Sequence, residues 1–203
     1  MKKKFLDFSL KLIKENRKDI DPVRLDEIRY GLEGFYLTVT KFIVISILAL
    51  ILNIFVEMII LLIFFNILRR TGFGMHAGNS YICLLSSSLI FIGLPFLAKI
   101  LVFPLYLKSG LLVLAVIMIY KNTPADTSKR PLINKKKRDY FKFVTTLKCI
   151  IMAFIAMFIN NNLSNLLIMA IYIEVVLTSP YVYKLFHLSY NNYLSYQVLN
   201  SNV

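Results

Sequence analysis

The chain has 203 residues, of which 58% are hydrophobic, yet its formal net charge is +13. Charged and apolar residues are separated into blocks: ten of the 24 Lys and Arg lie within 1–41 and nine within 121–148. This pattern excludes an ordinary soluble domain and is typical of several membrane spans. Two cysteines, Cys83 and Cys149, are too few for a disulfide framework.

Residues 1–34 mix charged and apolar side chains. Apolar residues between Phe5 and Ile13 recur near helical spacing with lysines among them. This predicts an amphipathic helix on the inner leaflet or, equally, a soluble helix that contacts the rest of the protein. Pro22, with Asp21 as its capping residue, predicts the start of a second, short helix.

Three apolar stretches follow, each long enough for two helices, because one span needs ~20 mostly apolar residues. The first, 35–70, is interrupted at Asn53 and Glu57, and the third, 143–182, turns at a run of three asparagines. The turn of the second, 81–120, stays open, since two prolines and two lysines interrupt it. The sequence therefore predicts an all-α polytopic membrane protein with six transmembrane helices arranged as three hairpins.

The basic residues predict the orientation. With three hairpins, the N-terminal block, the pair Arg69–Arg70, the basic loop 121–142 and Lys184 all fall on one side, which the positive-inside rule assigns to the cytoplasm. A five-span arrangement would place these blocks on different sides. Both termini are thus expected in the cytoplasm. The predicted regions are an interfacial part at 1–34, a six-helix transmembrane part at 35–183 and a C-terminal tail at 184–203.

Between the second and third spans, residues 69–83 read RRTGFGMHAGNSYIC. Three of the seven glycines lie here, which predicts a shaped loop. The loop holds His76, and Cys83 follows it by seven positions; a thiolate is a nucleophile that a nearby imidazole can generate and later reprotonate. Asn79 or Ser80 is a suitable N-cap, which would place Cys83 in the first helical turn, where the helix dipole favours an anion.

The same residues allow a simpler interpretation, a polar loop residue and a small packing residue. On an unbroken helix their Cα atoms would be about 10.5 Å apart, so a catalytic pair requires the loop to fold His76 back over Cys83, with Gly78 as the turning point. A metal site is not expected, because no further Cys or His is near enough to complete four ligands. Cys149 is expected to be inert packing and His187 to be solvated.

Further candidates lie outside this loop. Glu174, inside the sixth span, is a functional candidate that either pairs with a basic group or stays protonated. Asp126 either orients His76 as a third catalytic member or is a turn residue after Pro124. The basic residues of the 121–142 loop either bind substrate or mark topology and anionic lipid. These basic residues are Lys129, Arg130, Lys135, Lys136, Lys137 and Arg138.

The double arginine, the glycine-rich loop with His-x6-Cys and the run NTPADTSKRPLINKKKR at 122–138 together resemble the accessory gene regulator B (AgrB) family, over about residues 25–183. The resemblance implies a membrane cysteine endopeptidase of Gram-positive quorum sensing, with its active site at the cytoplasmic face of the cell membrane. Such enzymes cut an AgrD-type propeptide on its C-terminal side through an acyl-enzyme thioester and help to close a thiolactone or lactone ring.

In this resemblance Cys83 matches the family nucleophile and His76 the general base. Arg70, Gly74 and the basic run with Pro131 match positions that the family commonly shows. Independently of the resemblance, the cations Arg69 and Arg70 near Cys83 and the N-cap residues Asn79 and Ser80 are expected to support the site by favouring the thiolate. No cofactor is implied. The implied partners are the propeptide, membrane lipids and a second copy in a homodimer, with no nucleic acid. The alternatives are a small peptide transporter with Glu174 on its path and a non-catalytic membrane scaffold.

Overall fold

The structure is a computed structural model that describes residues 2–17, 20–75, 80–128 and 131–196. Within these residues the chain is almost entirely helical and contains no strand, which confirms the all-α prediction. In chain order the helices are α1 Lys2–Asn16, α2 Pro22–Ile51, α3 Phe55–Gly72, α4 Ser80–Ser88, a π-helical turn Leu89–Gly93, α5 Leu94–Ile100, α6 Leu105–Asn122, α7 Lys135–Phe158, α8 Asn161–Thr178 and α9 Pro180–Leu185.

Five segments of the described chain are long and apolar enough to cross a membrane: Val23–Ile51, Ile82–Ile100, Leu105–Asn122, Lys135–Phe158 and Asn161–Thr178. Helix α3 also has 18 residues but carries Glu57, Arg69 and Arg70. Several of these helices expose large apolar side chains, such as Ile117 of α6 and Phe154 of α7. Such faces are expected where the surroundings are lipid. Six spans and their orientation stay predictions.

Two compact units make up the fold, one ending at Ile51 and the other beginning at Leu52. In the first unit α1 folds against α2. Lys2 Nζ lies 2.6 Å from the Glu33 carboxylate, and the Phe5 and Tyr36 rings lie 5.3 Å apart. Helix α1 therefore contacts α2, and the choice between the inner leaflet and a soluble position for α1 stays a prediction.

A helix begins at Pro22, as predicted, but the prediction that this helix is short and separate from the first span was wrong. Helix α2 runs without a break through the predicted boundary at residue 34 to Ile51, 30 residues in all. Residues 24–34 contain no breaker stronger than two glycines, and once a helix has nucleated each further residue adds a hydrogen bond. At ~1.5 Å per residue the helix is about 45 Å long, more than the ~30 Å of a hydrocarbon core.

In the second unit, the three turns lie where polar residues interrupt the apolar stretches. Asn53 adopts a left-handed φ of 54° between α2 and α3. Lys99 binds this turn, with its Nζ 2.9 Å from the Asn53 carbonyl and 3.0 Å from the Glu57 carboxylate. The second turn, left open by the sequence, falls between Ile100 and Leu105. The Asn160 side chain caps α8 by accepting the Leu163 N–H at 3.0 Å.

Helix α8 is the centre of the second unit. It contacts α3, α5, α6, α7 and α9, and twelve of its residues from Ser164 to Thr178 are buried. A helix that is apolar nearly all round is expected to be enclosed by others. The polar Asn165 on α8 is paired, since its Nδ2 donates to the Ala98 and Leu101 carbonyls at the end of α5. This central helix carries Glu174 near its C-terminal end.

Candidate active site

Helix α3 ends in a glycine-rich turn that its sequence favours. Gly72 is the last helical residue, and Phe73 has φ 61° and Gly74 φ +100°. At Gly74 a side chain would be strained, and its Cβ would lie 2.7 Å from the Leu177 carbonyl oxygen. At Gly72 a Cβ would collide with the Glu174 carboxylate. Gly72 therefore leaves space for the Glu174 carboxylate, and Gly74 allows the backbone conformation of the turn.

The segment 73–75 is held by two distant parts of the chain. The Gly74 N–H donates to the Ala125 carbonyl at 2.8 Å, and the Ala125 N–H donates to the Gly72 carbonyl at 2.9 Å. The Met75 N–H donates to the Leu177 carbonyl at the end of α8 at 3.0 Å. The structure thus brings together the glycine-rich loop and the Pro-Ala loop, the two motifs on which the family resemblance was based.

Arg69 is bound inside this turn. Its guanidinium donates to three consecutive carbonyls: those of Phe73, of Gly74 at 3.1 Å and of Met75 at 2.6 Å. Its Nη1 also lies 3.8 Å from Oε2 of Glu174, which is fully buried. Glu174 thus lies beside a basic group, which is one of the two options left open for it. The neighbouring Arg70 is exposed.

Cys83 lies in the first turn of α4, as predicted, and is half-buried. Its helix starts at Ser80. Three other members of the predicted arrangement, His76, Gly78 and Asn79, lie outside the described residues. The pairing of the Cys83 thiol with the His76 imidazole therefore stays a prediction. Cys149 is buried in the core and His187 is exposed, as expected.

Asp126 is buried, and its carboxylate accepts backbone N–H groups from two segments. These are Leu132 at 3.3 Å, Asn192 at 2.9 Å and Tyr193 at 2.9 Å. The carboxylate thus closes its own loop and fastens residues 189–193 onto it. No sequence pattern indicated this contact, and the C-terminal residues were predicted only as a tail. A catalytic role for Asp126 stays a prediction.

Two tyrosines that the sequence analysis missed complete this clamp. The Tyr183 hydroxyl donates to the Asp126 carbonyl at 3.1 Å, and the Tyr190 hydroxyl donates to the Asn122 carbonyl at 3.1 Å. Their rings meet edge to face at 5.1 Å. Burial raises the pKa of both phenols, so both remain neutral donors at physiological pH. The abundance of tyrosine after residue 180 was the only available signal.

The predicted basic cluster divides into two groups. Lys135, Lys136 and Lys137 are exposed in the first turn of α7, where the helix dipole disfavours positive charge. Arg138 instead has internal partners. Its Nη1 donates to the Leu132 carbonyl at 2.8 Å, and its guanidinium lies 3.8 Å over the Tyr193 ring. Pro131 is half-buried, and Lys129 and Arg130 lie outside the described residues.

The described residues offer no cluster of His, Cys, Asp or Glu side chains able to hold a metal ion. Fold and site together define an all-helical, multi-pass class of membrane protein. In this chain a carboxylate–guanidinium pair and a second loop hold a glycine-rich turn that precedes, along the sequence, a helix with a cysteine in its first turn.

The comparison with known proteins identifies the family. The family model described as accessory gene regulator B matches residues 7–178. The chain therefore belongs to the accessory gene regulator B family, which is part of the quorum-sensing peptide-processing system. The family resemblance stated from the sequence is confirmed.

Individual relatives agree with this assignment. An AgrB-like protein of Clostridium acetobutylicum is 28% identical over 190 residues, which are 93% of this chain and 90% of the relative. Accessory gene regulator protein B of Staphylococcus aureus is 29% identical over 172 residues, 84% of this chain and 90% of the relative. An AgrB-like protein of Listeria monocytogenes is 27% identical over 187 residues, 92% of each chain. No solved structure matches the chain.

Proposed function

We propose that this protein is a membrane cysteine endopeptidase that cuts the C-terminal part of an AgrD-type propeptide and promotes cyclisation of the product. The observation that carries the proposal is the position of Cys83. It is half-buried in the first turn of α4, a helix that residues 76–79 separate in the sequence from the turn that the Ala125 loop, the end of α8 and Arg69 hold. In a chain of this family, such a cysteine is a natural nucleophile.

In the proposed reaction the Cys83 thiol loses its proton to His76, and its sulfur attacks a carbonyl carbon of the propeptide. The tetrahedral intermediate collapses by breaking the peptide bond, and the imidazolium returns the proton to the departing amine. A thioester then links Cys83 to the N-terminal part of the substrate. Backbone N–H groups at the start of α4 are suitable donors for the developing oxyanion.

Ring closure follows when a thiol within the substrate attacks the thioester carbonyl and displaces Cys83. One thioester replaces another, so this exchange is nearly balanced in free energy. A hydroxyl nucleophile would give a lactone by the same route. Water competes for the thioester, and a site that is partly enclosed at the membrane edge favours the tethered nucleophile through proximity.

The exposed lysines of α7 are suited to recruit the substrate. Three adjacent positive charges, Lys135, Lys136 and Lys137, would attract the acidic C-terminal tail of an AgrD-type propeptide. We place this site at the cytoplasmic face, following the positive-inside rule. Contacts with lipid and assembly as a homodimer belong to the same proposal.

Coexpression with a matching propeptide tests the proposal. Cys83→Ala, Cys83→Ser and His76→Ala are compared with wild type by detecting the cleaved peptide and, by mass spectrometry, the acyl-enzyme. We expect cleavage to disappear in Cys83→Ala and His76→Ala while membrane insertion stays normal. Cys149→Ala is the matched control, since that cysteine is buried in the core, and it is expected to retain activity.

Undiminished cleavage in Cys83→Ala would refute the peptidase proposal. A transporter would tolerate Cys83→Ala and instead lose activity in Glu174→Gln. A scaffold would tolerate both changes. The behaviour of Cys83→Ala alone therefore separates the peptidase from the two alternatives.

A further inference from the structure

We propose that Glu174 and Arg69 form a positioning pair that sets the conformation of the turn leading into His76. The inference rests on the proposed function and adds to it a distinct role for two residues that need not touch the substrate. Its basis is the buried contact between α8 and α3 and the three carbonyls that Arg69 gathers.

The turn after α3 depends on partners from outside itself. Its residues make no regular helix or sheet, and buried carbonyls require hydrogen-bond donors. Positive φ values at Phe73 and Gly74 turn successive carbonyls toward one point, where the Arg69 guanidinium donates to them. A planar fork with five N–H groups can reach three carbonyls at once, whereas a lysine is a single point charge. Arg69 therefore specifies this backbone conformation.

Glu174, for its part, holds the Arg69 guanidinium in position. Its side chain is fully buried, it lies on the most enclosed helix of the unit, and its Oε2 is 3.8 Å from Arg69 Nη1. A buried guanidinium requires a nearby opposite charge. Gly72 leaves room for the Glu174 carboxylate, since any Cβ there would collide with it. Carboxylate, glycine and guanidinium therefore form one packed arrangement.

The pair acts on the reaction through the backbone. Met75, the third residue whose carbonyl Arg69 binds, is followed directly by His76. Because the turn ends one residue before His76 in the sequence, we expect its conformation to affect where the imidazole is placed, and a misplacement of about 1 Å is enough to lower a rate by about 100-fold. Arg69 and Glu174 are positioning residues in this account. Arg70, which is exposed, is not part of the pair.

Two readouts test the pair, both in a Cys149→Ala background so that Cys83 is the only thiol. The first is the rate at which iodoacetamide labels Cys83 in folded, monodisperse protein, which requires no propeptide. The second is cleavage of the propeptide, resolved into kcat and KM. The variants are Glu174→Gln, Arg69→Lys and their combination. The control is Arg24→Lys, the same change at an exposed arginine of α2 outside the site, and His76→Ala is the reference for a lost imidazole.

We expect Arg69→Lys to slow Cys83 labelling to the His76→Ala rate and to lower kcat by about 100-fold, with KM near the wild-type value. Glu174→Gln should likewise slow the labelling of Cys83 and lower kcat. The double variant should be no worse than Arg69→Lys alone, because residues that act as a unit are not additive. Arg24→Lys should match wild type.

The positioning proposal is overturned if Arg69→Lys and Glu174→Gln label at the wild-type rate while His76→Ala labels slowly. The proposal is also overturned if these variants yield less folded protein but the folded fraction labels at the wild-type rate. That result would show that the pair contributes only to the packing of the fold. Labelling of His76→Ala at the wild-type rate would instead contradict the proposed dyad itself, and the positioning role would fall with it.

Discussion

Substituting Gly74 by alanine tests whether the conformation of the glycine-rich turn is needed for function. Gly74 has φ +100°, and an added Cβ would lie 2.7 Å from the Leu177 carbonyl oxygen. The strained backbone and the overpacked methyl group each cost about 1–3 kcal/mol, roughly 2–6 kcal/mol together. The matched change is Gly110→Ala on α6, where a Cβ meets nothing within 4 Å.

The strain acts on the contacts that hold the turn in place, because the added Cβ would also collide with Arg69 Nη1, whose guanidinium binds the turn's carbonyls. The Gly74 N–H to Ala125 and Met75 N–H to Leu177 hydrogen bonds contribute about 0.5–1.5 kcal/mol each. We therefore expect the segment to detach from its partners in Gly74→Ala, whereas the helical core remains folded. A loss of about 2 kcal/mol of positioning free energy corresponds to a rate decrease of more than about tenfold.

The assay is propeptide cleavage by equal amounts of membrane-inserted protein, with thermal unfolding in detergent measured in parallel. Gly110→Ala should keep full activity and unfold at the same or a higher temperature, because alanine stabilises a helix interior by about 0.5–1 kcal/mol relative to glycine. If Gly74→Ala retained the activity of Gly110→Ala, the reasoning from backbone strain would be refuted.

Two further predictions concern the loop between α6 and α7. Asp126→Ala removes the acceptor of three backbone N–H groups. It should therefore free the C-terminal segment and make it sensitive to limited proteolysis, whereas exposed Asp139→Ala should not; equal protection in both would contradict the clamp. Replacing Lys135–Lys137 by glutamine should raise KM for an acidic-tailed propeptide without changing kcat, and should weaken the salt dependence of cleavage, since salt screens exposed charges. The same triple change at Lys3, Lys4 and Lys14 of α1 is the control, and identical effects of the two triples would exclude a specific recruiting role.

The clamp around Asp126 also bears on how the basic loop works. Arg138 is bound to the Leu132 and Ile133 carbonyls and to the Tyr193 ring, so it orders the loop from within. The lysines that precede it on α7 are left exposed to meet an acidic partner. One basic run therefore contains a residue that shapes the loop beside residues suited to attract the substrate.

The sequence by itself determined the helices and most of their ends. Apolar runs long enough to span a membrane became helices, and polar residues such as Asn53 and Asn160 marked the turns, because these are local properties. A cap immediately before α4 was also a local signal, which is why Cys83 could be placed in the first turn. The continuity of α2 was missed, since Pro22 suggested a separate element.

Only the tertiary structure decided which polar groups meet. Arg69 and Arg70 look alike in sequence, yet one is bound to Glu174, about a hundred residues away, and the other is exposed. The contacts of Ala125 with the glycine-rich turn are made by backbone groups, which every residue carries and no motif records. Pairings of this kind arise from the packing of α8 against α3, and a one-dimensional pattern holds no information about the packing partner.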